Sequence, residues 1–201
     1  VPGIVLENCA SGGHRLEPKL MSVMSMASFS DAHECEEIPI IAANLHRVIH
    51  PAQSQIWAVI RQDDSLKRIA YSISNTFLGR MCISGDVTQL APEKWNLIEQ
   101  GISFYGKIKD IIKEGQSYRY GPKIKSARHP EGWQALLRVG KNKQAYVVIH
   151  VFGGELPEVI EIELPEGIPD HIRQIYAHQE MEVSIKDRKI YYRPSENKSA
   201  V

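Results

Sequence analysis

The sequence predicts an α/β fold in which a parallel sheet built from βα units is followed by a small antiparallel β domain. Three observations predict it. Up to about Gly115, short apolar runs alternate with amphipathic segments, the pattern of strands and their covering helices. Beyond Gly115 the texture changes to a Gly-, Pro- and Lys-containing stretch and then to β-branched and aromatic runs without a convincing helix. With 201 residues and 43% hydrophobic composition, the chain can bury a core as one large domain or two small ones.

The first strand is expected at Ile4 to Cys9, a short helix at Glu17 to Met24, and a second strand at Ala27 to Ser30. From Glu34 to Ile49 the apolar residues Ile38, Ile41, Ala42, Leu45, Val48 and Ile49 recur at helical steps, which predicts a helix half-buried on the sheet. A third strand follows at Gln55 to Ile60. Ser65 to Leu78 then reads as a helix stopped by Gly79, and Met81 to Ser84 as a fourth strand. Gly85-Asp86 forms the next loop, and Pro92 to Glu114 a long helix with its proline in the first turn and Gly115 at its end. The first domain is therefore drawn as 1–115 and the second as 116–201. In the second, strands are expected at Gln134 to Val139, Gln144 to Phe152 and Lys189 to Arg193. Ile160, Ile162 and Leu164 alternate with Glu161 and Glu163.

Charge and cysteine usage narrow the function classes. Lys plus Arg and Asp plus Glu each total 24, so no net field favours nucleic acid or an anionic membrane as partner. Cys9, Cys35 and Cys82 are odd in number and lack the paired spacing of a disulfide framework or zinc site, so reduced thiols are expected. No apolar run reaches the roughly 18 residues of a membrane span, and no signal peptide is evident, which points to the cytoplasm. The opening Val1-Pro2-Gly3-Ile4 leads straight into a strand without an initiator methionine, so the chain is read as a piece of a longer protein.

Two loops carry the chemistry. In Glu7-Asn8-Cys9-Ala10-Ser11-Gly12-Gly13-His14-Arg15, the spacing C-x-x-G-x-x-R lets backbone N–H groups approach a ligand while Arg15 supplies charge-assisted donors. A plain turn explains the same residues. The loop lacks a P-loop lysine and the length of G-x-G-x-x-G. Asp31, in Ser30-Asp31-Ala32-His33-Glu34, is a candidate acid or base because it follows a strand end, where a barrel presents catalytic groups. The alternative is a helix cap, with Glu34 completing a capping box.

Taken together, Leu6-Glu7-Asn8-Cys9-Ala10-Ser11-Gly12-Gly13-His14-Arg15 and Phe29-Ser30-Asp31 resemble the α-galactosidases of glycoside hydrolase family 36, in order and in separation. The resemblance implies that the chain is the C-terminal half, strands 5 to 8, of a (β/α)8 TIM barrel, followed by the family's small antiparallel β domain. It implies that Cys9, Gly12 and Arg15 bind the sugar and that Asp31 is the acid/base of a retaining mechanism acting on terminal α-galactosyl groups of oligosaccharides. It further implies no cofactor and no metal. The family continues its acid motif as Asp-Asn-Thr-Asp, whereas Ala32-His33-Glu34 follow Asp31 here. Its nucleophile, the Asp of a Lys-x-Asp motif closing the fourth strand, has no counterpart near the start, since Lys107-Ile108-Lys109-Asp110 and Lys186-Asp187 lie in other elements. The chain alone is accordingly expected to be inactive.

Other readings remain beside this one. His46 and His50, four apart, with His33 and Cys35 upstream, have a spacing that permits a metal, but a solvated helix face explains the pair better. Trp57, Trp95 and Trp133 could stack on sugars or serve as core. Asp86 is read as structural. A galactosyltransferase of the raffinose synthase type or an α-N-acetylgalactosaminidase would share the motifs, and a non-catalytic carbohydrate-binding or assembly fragment would account for the missing nucleophile. Four parallel strands with open edges also make a homo-oligomer conceivable.

Overall fold

A computed structural model describes residues 3–9, 13–31 and 34–194. Four parallel strands, β1 (Glu7–Cys9), β2 (Met26–Ser28), β3 (Ser54–Ile60) and β4 (Arg80–Gly85), lie side by side in sequence order. Between them run α1 (Pro18–Met21), α2 (Ile38–Leu45), a short 3-10 turn (Pro51–Gln53) and α3 (Leu66–Thr76), and α4 (Pro92–Glu114) closes the series. This is the expected βα succession. In β3 every second residue is buried, and Ile56, Ala58 and Ile60 join a core with Ile69 and Ile73 of α3 and Leu97 and Ile98 of α4. Gln55, Trp57 and Val59 occupy the alternate face and are half-buried.

Several boundaries move for identifiable reasons. The first strand shrinks to three residues, and Ile4, Val5 and Leu6 are exposed. The second helix is shorter than its periodicity predicts: Pro39 fits only a first turn, so residues 35–37 form a turn and the helix starts at Ile38. At its other end His46 caps the helix and Val48 is exposed, while Ile49 is buried. Gly79 does not stop α3, which ends at Thr76 with Phe77 as its cap. Instead Gly79 lets the backbone pass close to the Ser54 carbonyl, where a Cβ would sit 2.4 Å from the oxygen.

After α4, six strands form two antiparallel sheets: β5 (Gln116–Tyr120), β6 (Trp133–Val139) and β7 (Ala145–Val151) in one, and β8 (Ile160–Glu163), β10 (Lys189–Tyr192) and β9 (Val183–Lys186) in the other. β5 and β9 were not expected from the sequence. β9 alternates Val183 and Ile185 with Ser184 and Lys186, but it is only four residues long and bounded by polar turns. Ala135 and Leu137 of β6 pack with Ile160, Ile162 and Ile190 into a second core, while Leu136 on the opposite face joins the core beneath the helices. β6 is thus the shared wall. No helix among the described residues is long and apolar enough to cross a membrane.

Polar contacts weld the β5–β6–β7 sheet to the helices. Gln134 donates to the Pro39 carbonyl at 2.9 Å, and His150 meets the Asn75 side chain at 2.8 Å, while Asn75 donates to the Cys35 carbonyl. Arg138, fully buried, donates to Ser117, to the Tyr146 hydroxyl and to the Leu78 carbonyl. It also lies 3.1 Å from Nδ1 of His46. His46 is therefore not on a solvated face: its neutral ring donates from Nε2 to Leu78 O at 2.8 Å and accepts from Arg138 at Nδ1. Desolvation, with the Arg138 charge second, lowers its pKa to about 4. His50 is exposed and caps the 3-10 turn through Ala52 N–H, and no group of three or more metal-ligating side chains occurs among the described residues.

Candidate functional site

The two chemical loops leave adjacent parallel strands at the same level, since Cys9 pairs in register with Ser28. Everything that follows these strands emerges at one edge of the sheet. Strand alternation sends Asn8 inward, where it is buried and its amide donates to the Arg15 carbonyl, fastening the far end of the loop to the strand that begins it. Cys9 faces the other way and is exposed, as is Arg15. No carboxylate among the described residues pairs with Arg15.

Gly13 connects the loops. Its φ of +92° suits glycine, and a Cβ there would lie 2.8 Å from the Phe29 carbonyl oxygen. The turn after β1 therefore rests directly on the chain leaving β2, two residues before Asp31. Asp31 is exposed and lies three residues beyond the end of β2. It does not cap a helix: α2 begins at Ile38, with Glu37 in the capping position. That removes the alternative that competed most directly with a chemical role.

Of the residues singled out in the sequence, Cys9, Arg15 and Asp31 are brought to this edge, while Gly12 lies outside the described residues, as do Ala32 and His33. Asp86 follows β4, where its side chain accepts from the Thr88 hydroxyl at 3.3 Å and its N–H donates to the Ile60 carbonyl, a turn arrangement. Asn8 and Gly13 organise the site and were missed as such. The signal was available for Asn8, since alternation with an outward Cys9 turns it toward the helices. Nothing in the sequence says that Gly13 meets Phe29.

No protein-family model and no curated protein sequence matches the chain. Solved structures do. The galactosidase domain of the α-galactosidase-sucrose kinase AgaSK matches with a TM-score of 0.67 and 18% identity over 84% of this chain. The α-galactosidase from Lactobacillus brevis matches with a TM-score of 0.66 and 18% identity over 95%. A variant of the family 36 α-galactosidase AgaA from Geobacillus stearothermophilus, in complex with 1-deoxygalactonojirimycin, matches with a TM-score of 0.65 and 20% identity over 96%. The chain spans 23%, 25% and 25% of these three proteins, respectively. The parallel sheet, its helices and the antiparallel sheets thus share the fold of about a quarter of the glycoside hydrolase family 36 α-galactosidases, a coverage consistent with the C-terminal part that the motifs imply.

Proposed function

We propose that this chain is the C-terminal part of a retaining α-galactosidase, residues 1–115 forming the last four βα units of a (β/α)8 barrel and residues 116–201 a β domain. The close approach of Gly13 to the Phe29 carbonyl carries the reading, because it sets the residues leading to Arg15 beside the chain leading to Asp31. In this reading Cys9, Gly12 and Arg15 grip the galactosyl group, with Arg15 and loop amides donating to ring hydroxyls. Asp31 protonates the departing glycosidic oxygen and then, as a carboxylate, takes a proton from the water that completes turnover. The nucleophile, a second carboxyl about 5 Å away, comes from outside this chain. The other solved structures of the Geobacillus enzyme that match include complexes with raffinose and stachyose, which agrees with an oligosaccharide substrate.

Asp31→Ala in the full-length protein tests the assignment. Natural galactosides need leaving-group protonation, so their hydrolysis should fall by at least about 100-fold. Aryl galactosides with acidic leaving groups need none, and their glycosylation step should survive. Equal loss of kcat/KM, which reports the glycosylation step alone, on the two substrates would refute Asp31 as the acid. The isolated chain should hydrolyse neither substrate, and turnover by the pure chain would contradict a nucleophile supplied from elsewhere.

A further inference from the structure

A cavity lies far along the chain from the sugar loops. A cavity of about 620 Å³ opens between α3, α4, β7 and the sheet of β8, β10 and β9, and the irregular stretch 164–182 runs across it. Its volume falls within the roughly 300–1,000 Å³ of small-molecule sites. None of its lining residues precedes Lys67, so Cys9, Arg15 and Asp31 take no part in it.

The walls and the rim differ in chemistry. Val147 of β7, Ile190 of β10 and Ile168 of the 164–182 stretch supply apolar walls on one face of the β5–β6–β7 sheet. Among the described residues the lining holds the basic side chains Lys67, Lys107, His171, Arg173 and His178 and no Asp or Glu. Acids and bases are equal in number over the whole chain, 24 each, so this segregation is local. Some exposed cations elsewhere reach carboxylates, as in Lys141 with Glu114 at 2.9 Å and Lys189 with Glu161 at 2.9 Å. Lys107 and Arg173 bond neutral acceptors instead: Lys107 donates to the Gln174 amide oxygen at 2.7 Å and Arg173 to Nε2 of His171 at 3.3 Å, so these bonds leave the charge of both in place. Burial, and Lys67 next, pull the pKa of His178 down.

Glycoside hydrolysis does not suit such a site. Glycoside chemistry needs carboxylates, and none lines it among the described residues. We propose that this cavity binds a free long-chain aliphatic carboxylate, the hydrocarbon lying among the apolar walls and the carboxylate engaging Lys107 and Arg173 at the rim. Bidentate pairing with Arg173 would be the stronger of these contacts.

Dodecanoate, kept below its critical micelle concentration, is the probe, and calorimetry on the full-length protein reads the binding. One saturable site is expected, with dodecanol, equal in tail but uncharged, binding at least about tenfold more weakly. The paired substitutions Lys107→Glu and Arg173→Glu, at exposed positions where folding should be unaffected, should weaken dodecanoate at least about tenfold and leave dodecanol unchanged. Equal affinity for the two probes, no loss in the charge-reversed variant with its circular dichroism intact, or binding only to phosphatidylglycerol vesicles and not to monomeric dodecanoate would each overturn the proposal.

Discussion

At the residue scale, single atoms decide whether the two chemical loops form one surface. Gly13 combines a positive φ with a 2.8 Å approach of its absent Cβ to the Phe29 carbonyl. Gly13→Ala should therefore cost about 1–3 kcal/mol of stability, read from chemical denaturation, and should raise KM for galactosides in the full-length protein; a variant as stable as the parent would show that the contact relaxes freely. The cysteines provide a second test. Cys9 is exposed, whereas Cys35 is buried and its thiol is pushed up to about 11, chiefly by desolvation. Iodoacetamide at pH 8 should label Cys9 at least about tenfold faster than Cys35, and galactose should protect Cys9 in the full-length protein. Unchanged labelling with saturating galactose would separate Cys9 from the sugar site.

At the element scale, α3 and α4 pack by close approach as well as by apolar area. Gly101, in the middle of α4, faces Ile73 of α3: a Cβ there would lie 2.4 Å from the Ile73 Cγ2 and 3.3 Å from the Tyr176 ring. Alanine is the better helix former by about 1 kcal/mol. Against this, Ile73 is β-branched and fully buried within a helix, so its methyl cannot swing away, and overpacking costs about 1–3 kcal/mol. Crowding should win, and Gly101→Ala should lower the melting temperature; a rise would mean that propensity outweighs packing here. Tyr176, beside Gly101, also packs on Phe77 and Phe104, with ring centroids 5.3 and 6.4 Å apart, and ties the 164–182 stretch to the helices.

For the whole molecule, the joint between the helices and the β5–β6–β7 sheet carries its pH response. His46, at about 4, and His150, lowered by burial to about 3, stay neutral in the folded state. An unfolded histidine titrates near 6.5, so below that pH the unfolded chain binds more protons than the folded one. Stability is thus complete above about pH 6.5 and is lost as pH falls toward the folded values, a window that opens above most carboxylate titration. Melting temperatures between pH 7 and 4.5 should fall along this slope. His46→Gln, which can still accept from Arg138 and donate to Leu78, should flatten it; identical slopes would show that the histidine contributes nothing. The joint was not legible in sequence, because residues 46 and 138 lie 92 positions apart and Arg138 reads as an ordinary outward residue of a strand.

The sequence by itself determined the order of elements, the change from parallel to antiparallel texture near Gly115, and the pairing of C-x-x-G-x-x-R with Ser-Asp, because periodicity, capping and motif spacing are local properties of the chain. It also marked Cys9, Arg15 and Asp31, each of which lies where a strand ends or soon after. Only the tertiary structure decided that Asp31 is no helix cap, that Gly13 rests on Phe29, that His46 faces a buried arginine rather than water, and that five basic side chains ring an apolar cavity. Each of these depends on contacts between segments far apart in the chain or on where a proline lets a helix begin, and burial, not residue type, then sets what the side chains can do.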